Sequence, residues 1–215
     1  MKKTILTLVL CSFIGAAFAQ AKFGVTAGLN ASSATFSEDV LEGMDVGFKA
    51  GFQVGLVLDY ALSENLSLIP ELNFSQKGFT LSGDEDDLEY DYTGTLNYLT
   101  VPINLAYKFD LGMDQKFLLF AGPYLGYGLS SSEKIKAAGV SVDLDEEDAL
   151  LTFGSEDGEL KKLDYGLNIG AGYQYNKLVF KLQYNMGLNN LIQGGSEYDI
   201  SAKTTNVAVT VGYLF

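Results

Sequence analysis

The chain has 215 residues, 47% of them apolar, 13% aromatic and 19% charged, with 24 glycines against three prolines, so its composition is neither disordered nor collagen-like. A formal charge of −13 repels phosphate backbones and sets nucleic acid aside as a partner. Histidine does not occur, which excludes imidazole catalysis, imidazole metal ligation and any Ser/His triad.

The first feature along the chain is Lys2-Lys3, an apolar stretch from Ile5 to Ala17, and Ala17-Phe18-Ala19 before Gln20. These are the three parts of a secretory signal peptide, expected over residues 1–19, with one domain over 20–215. Cys11, the only cysteine, falls in the leader, so the mature chain is expected to carry neither a disulfide nor a reactive thiolate. Beyond the leader no apolar run approaches the roughly 18 residues a membrane helix needs. Strict period-two alternation recurs instead, the signature of half-buried strands.

Eight segments carry that alternation. The first is 23–31. In the second, 48–60, Phe48, Ala50, Phe52, Val54, Leu56, Leu58 and Tyr60 share one face, while Gly47, Lys49, Gly51, Gln53, Gly55 and Asp59 share the other, with Val57 breaking the polar side. The third is 66–74, the fourth 99–109, the fifth 117–129, the sixth 163–175, the seventh 178–188 and the eighth 207–215. An even number is what single-chain bacterial outer-membrane barrels require. The connections are tight at 61–65, 110–115 and Asn176, and long at 35–46, 81–94, 131–161 and 189–203, the alternation of short periplasmic turns with long external loops.

A soluble sandwich or lipocalin-like barrel shares the alternation with its apolar face inward. Two features weigh against it. The polar parity is rich in glycine, as at Gly51, Gly55, Gly122, Gly166 and Gly170, which suits a crowded narrow lumen better than a solvated exterior. The apolar parity ends in aromatics, with Tyr60, Tyr107, Phe109, Tyr173, Tyr175, Tyr213 and Phe215 all closing even-numbered segments, as a girdle at one membrane interface requires. The expected fold is all-β, an eight-stranded antiparallel up-and-down transmembrane β-barrel with both termini in the periplasm.

Phe23-Gly24-Val25 with Gly28-Leu29-Asn30, Leu68-Ile69-Pro70-Glu71-Leu72 leading to Ser75-Gln76-Lys77-Gly78, and Tyr98-Leu99-Thr100-Val101-Pro102 follow one another in order. Ala121-Gly122-Pro123-Tyr124-Leu125-Gly126 and Asp164-Tyr165-Gly166-Leu167 with Gly170-Ala171-Gly172 complete the set. Together they resemble the PorT-like outer-membrane β-barrel family of Bacteroidota, often labelled porin family proteins, over essentially the whole mature chain. The resemblance implies an eight-stranded barrel in the outer membrane and no settled activity; one branch implies an accessory role in protein secretion or envelope assembly. The ending Val209, Val211, Tyr213, Phe215 resembles the C-terminal strand signal read by the barrel-assembly machinery, which implies that machinery as a partner during insertion.

An eight-stranded barrel is just wide enough for its own side chains to fill. The inward parity holds Lys49, Lys77, Lys108, Lys116 and Lys181 against Asp59, Glu71 and Asp164, and charges enclosed there must pair or stay hydrated. Lys49, Glu71 and Lys181 are expected in a network that plugs the barrel. Most of the 27 acidic residues fall in the four long loops and read as a solvated crown. Weak divalent bridging to outer-membrane lipid and lipopolysaccharide is the partner chemistry that the crown suggests. Asp143, Asp145 and Glu147 fail the calcium-loop spacing, because Asp148 stands where glycine is needed. No cofactor, metal site or catalytic residue is expected. Three functions stay open: a non-enzymatic surface barrel meeting a protein partner through its external loops, a narrow pore for small solutes or ions, and an accessory to secretion or assembly.

Overall fold

The computed structural model describes residues 21–36, 45–85, 88–137, 140–143, 151–154, 159–193 and 201–215. The expected leader lies outside the described residues, as do many carboxylates of the acidic crown, Asp145 to Asp148 among them. Among the described residues nine strands occur: β1 (Ala21–Phe36), β2 (Asp45–Ala61), β3 (Leu66–Glu85), β4 (Leu88–Gly112), β5 (Gln115–Ala137), β6 (Val140–Asp143), β7 (Leu163–Tyr175), β8 (Leu178–Gly187) and β9 (Ala202–Leu214). Each pairs antiparallel with its neighbour, and β1 with β9 and β4 with β5 close the ring, so eight strands form a barrel. The short β6 stands outside the ring and, among the described residues, pairs only with the far end of β5.

One end of the barrel is built from tight turns. Between β4 and β5 only Met113 and Asp114 intervene, both with positive φ (52° and 59°), after Gly112 at 79°. Positive φ at both central residues is what a two-residue hairpin needs to match the strand twist. Between β7 and β8, Asn176 takes a φ of 53°, a conformation asparagine tolerates. The opposite, loop end differs from expectation. Residues 81–94 are not an open loop, because β3 and β4 stay paired as far as Glu85 opposite Leu88. Likewise β5 runs on to Ala137 and folds back into β6, inside the stretch expected as the third loop. Alternation marks only the part of a strand with one face buried and one in lipid, so a hairpin that continues past that belt keeps its ladder and loses the pattern.

Period two explains the rest. Leu29, Leu56, Ile169 and Val209 project outward and are among the most exposed side chains, whereas their polar and glycine neighbours face in. Phe120 and Tyr124 of β5 point inward directly opposite Gly170 and Gly166 of β7. A Cβ on either glycine would collide with the facing ring. Glycine there makes room for an aromatic inside a lumen that otherwise has none to spare.

Candidate functional site

The lumen is the only large enclosed space that an eight-stranded barrel offers, and the inner face of β3 orders it from the turn end upward: Ser67, Ile69, Glu71, Asn73, Ser75, Lys77, Phe79. At the bottom, Lys108 of β4 is ion-paired with Asp59 of β2. They border a cavity of about 90 Å³ with Lys22, Lys116 and Gln174. Directly above, Val57, Ile69, Ala106, Leu118, Phe120, Val179 and Leu214 pack into a buried apolar layer. All seven stand on the polar parity, where the sequence pattern had singled out Val57 as a break.

The middle is polar. Lys181 of β8 pairs across the lumen with Glu71 of β3, and Asn73 Nδ2 donates to the second Glu71 oxygen at 3.3 Å. Thr26 Oγ1 donates to Asn73 Oδ1 at 3.3 Å, and Asn168 Nδ2 to Asn104 Oδ1 at 3.0 Å. Asn168, Asn185 and Asn206 form a row across β7, β8 and β9, each with a buried amide oxygen that no protein group meets. Internal water is the usual partner of such atoms. Higher up, Lys77 reaches Asp164 at 3.0 Å, with its ammonium 5.2 Å and 4.8 Å from the ring centres of Tyr98 and Tyr124. Asp164, fully buried, also accepts from Tyr124 Oη at 3.2 Å and Thr204 Oγ1 at 3.0 Å.

Above that pair the loops fold in. Leu160, from the third connection, and Leu191, from the fourth, are buried against Leu96 and Tyr98 of β4, with Leu151 and Phe153 packed beside them. Backbone bonds stitch this cap together. Lys161 N donates to Leu191 O at 2.7 Å, Gln193 N to Glu159 O at 2.8 Å, and Leu191 N to Ala202 O at 2.8 Å. Glu133, buried on β5, fastens the cap to the wall by accepting from Leu151 N and from the Tyr92 hydroxyl. Tyr92 lies beyond Leu99, where the outward apolar belt on β4 ends. Burial first, then the hydrogen bond and charge of Glu133, push its hydroxyl well above the ordinary phenol range and keep it a donor. Alternation gave no sign of the cap, because its residues lie in irregular segments without periodicity.

The expected charge set divides into pairs. Glu71 with Lys181, Lys77 with Asp164, and Lys108 with Asp59 are brought together, but Lys49 is not in a charge network. Its ammonium donates to the Ala50 carbonyl oxygen at 3.2 Å and pairs with no carboxylate among the described residues. Lys49 enters β2 near the loop end, whereas Asp59 stands at the turn end of the same strand and Glu71, on β3, lies opposite Val57, so neither carboxylate is at its height. Tyr107, Phe109, Tyr173, Tyr175 and Tyr213 point outward at the turn end, Tyr60 is half-buried there, and Phe109 stacks near Phe117 at 6.1 Å. Val209, Val211 and Tyr213 project outward from β9, and Phe215 N closes the ring by donating to Phe23 O at 2.7 Å. Among the described residues no three His, Cys, Asp or Glu side chains gather as metal ligands.

Residues 18–193 match the family described as outer membrane protein beta-barrel domain. Comparison with curated proteins finds no match. Among solved structures, the outer membrane protein OprG from Pseudomonas aeruginosa is 14% identical over 91% of this chain and 96% of its own, with a TM-score of 0.45. Ail, the attachment invasion locus protein of Yersinia pestis, is 14% identical over 91% and 99%, with a TM-score of 0.44. Neisserial surface protein A is 13% identical over 91% and 99%, also with 0.44.

Proposed function

The chain belongs to the outer membrane protein beta-barrel domain family, and from that premise we propose that it is a closed, non-enzymatic barrel of the outer membrane that acts through its external surface. The observation that carries this reading is the filling of the lumen: an apolar layer at the turn end, three buried ion pairs, and a cap of loop segments at the other end. On this reading the column blocks a continuous aqueous path, and the three buried carboxylates within it, Asp59, Glu71 and Asp164, are each neutralised by a lysine rather than poised for acid-base work. The working surface is then the loop end, where the acidic runs of the sequence concentrate and a protein partner or divalent-bridged lipopolysaccharide would be met. Outer-membrane lipid contacts the exposed apolar belt, and the barrel-assembly machinery would read Val209, Val211, Tyr213 and Phe215. The PorT-like motifs support a narrower version, in which the surface serves secretion or envelope assembly; co-purification of secretion components with the tagged barrel is its signature.

Conductance in planar lipid bilayers tests the closed reading. Wild type should be silent, Glu71→Ala should leak, and Lys49→Ala should stay silent because Lys49 holds no carboxylate. Discrete openings in the wild type would overturn it and favour a narrow pore running past the polar asparagine row.

A further inference from the structure

Between the cap and the barrel wall lies a cavity of about 100 Å³ whose surroundings contrast with the polar lumen beneath it. Phe36 of β1, Phe79 of β3 and Leu96 of β4 form the wall, and Leu160, Leu191 and Ile192 form the roof. Phe36 and Phe79 meet edge to face, with ring centres 5.1 Å apart at 78°. The floor is Lys77 with Thr204. That floor has no charge to spare, because the Lys77 ammonium is held by Asp164 and lies against two tyrosine rings, and Asp164 is held in turn by Tyr124 and Thr204.

We infer that this cavity is a binding site for a small, neutral, aromatic molecule. Three features of the site select that class. Apolar cavities of this order stay dry and accept an apolar guest, and a single ring of about six heavy atoms matches the space. The edge-to-face phenylalanine pair offers both a ring face and ring edges, the two surfaces an aromatic guest prefers. An anionic guest is disfavoured, because drawing the Lys77 ammonium towards it would leave Asp164 buried without its counter-ion, whereas a neutral ring leaves the pair intact. Since the roof comes from the third and fourth connections, an occupied site also ties both to the wall, so the guest stabilises the cap.

The inference is independent of whether the lumen conducts, and its test reads binding alone. The full chain, refolded in detergent micelles and checked for folding by its gel mobility, is titrated with fluorobenzene and followed by fluorine NMR. Wild type should show saturable binding of one equivalent above the linear partition into micelles, and Ala34→Phe, which places a ring into the cavity from β1, should weaken it at least tenfold. Leu96→Phe fills the same space from β4 and gives the same reading if the first variant does not fold. Only linear partition in the wild type, or saturable binding unchanged in a folded filled variant, overturns the site. Fluorobenzoate binding as tightly as fluorobenzene would overturn the assignment to a neutral guest.

Discussion

Two apolar layers close the lumen, and they differ in what holds them. At the turn end, Val57, Ile69, Ala106, Leu118, Phe120, Val179 and Leu214 all stand on strands, each fixed by ladders on both sides. At the loop end, only Leu96 and Tyr98 belong to a strand; Leu160, Leu191, Leu151 and Phe153 arrive on irregular segments held by a few backbone bonds and by Glu133. The lower layer therefore cannot open without breaking barrel pairing, whereas the upper layer can lift while the barrel stays intact. The same chemistry, leucine on aromatic, serves as core in one place and as closure in the other.

Substitutions can break or sharpen this contrast. The largest effect is expected between the layers, where Glu71→Ala strands the Lys181 ammonium in a site cut off from both ends. The barrel should lose about 3–5 kcal/mol in urea unfolding followed by gel mobility, and exchanging the two residues should restore most of it. In the lower layer, Leu118→Ala should lower the same global midpoint by about 2–5 kcal/mol. The matching change in the cap, Leu160→Ala, should leave the global midpoint within about 0.5 kcal/mol yet raise cutting of the third connection by added protease roughly thirtyfold, the equivalent of about 2 kcal/mol of local opening. If Leu160→Ala shifted the global midpoint as far as Leu118→Ala does, the two layers would be one cooperative unit and the contrast would fail. Smaller still, Glu133→Gln removes the charge from the acceptor of Leu151 N and Tyr92. Hydrogen exchange at the Leu151 amide should then quicken about tenfold, a local loss of about 1–2 kcal/mol with the barrel unchanged. Lys49→Ala should move nothing by more than about 0.5 kcal/mol.

Barrel strand number and the direction each face points were legible in the residues, because successive Cβ atoms alternate sides along any strand, whatever it later pairs with. The missing histidine likewise settled which catalytic chemistries are closed to this chain. Even the lower apolar layer left a trace, in that Val57 sits on the wrong parity. Which charges meet was not legible. Glu71 and Lys181 are 110 residues apart and Lys77 and Asp164 are 87 apart, and neither pair shares a hydrogen-bonded ladder. They face each other only because strand tilt and stagger around a closed ring set the height of every inward side chain, and Lys49, equally charged and equally inward in pattern, is left out by that geometry. The cap depends on the tertiary structure still more fully: Leu160 and Leu191 become buried because a lumen mouth of the right width, floored by Leu96 and Tyr98, already stands beneath them.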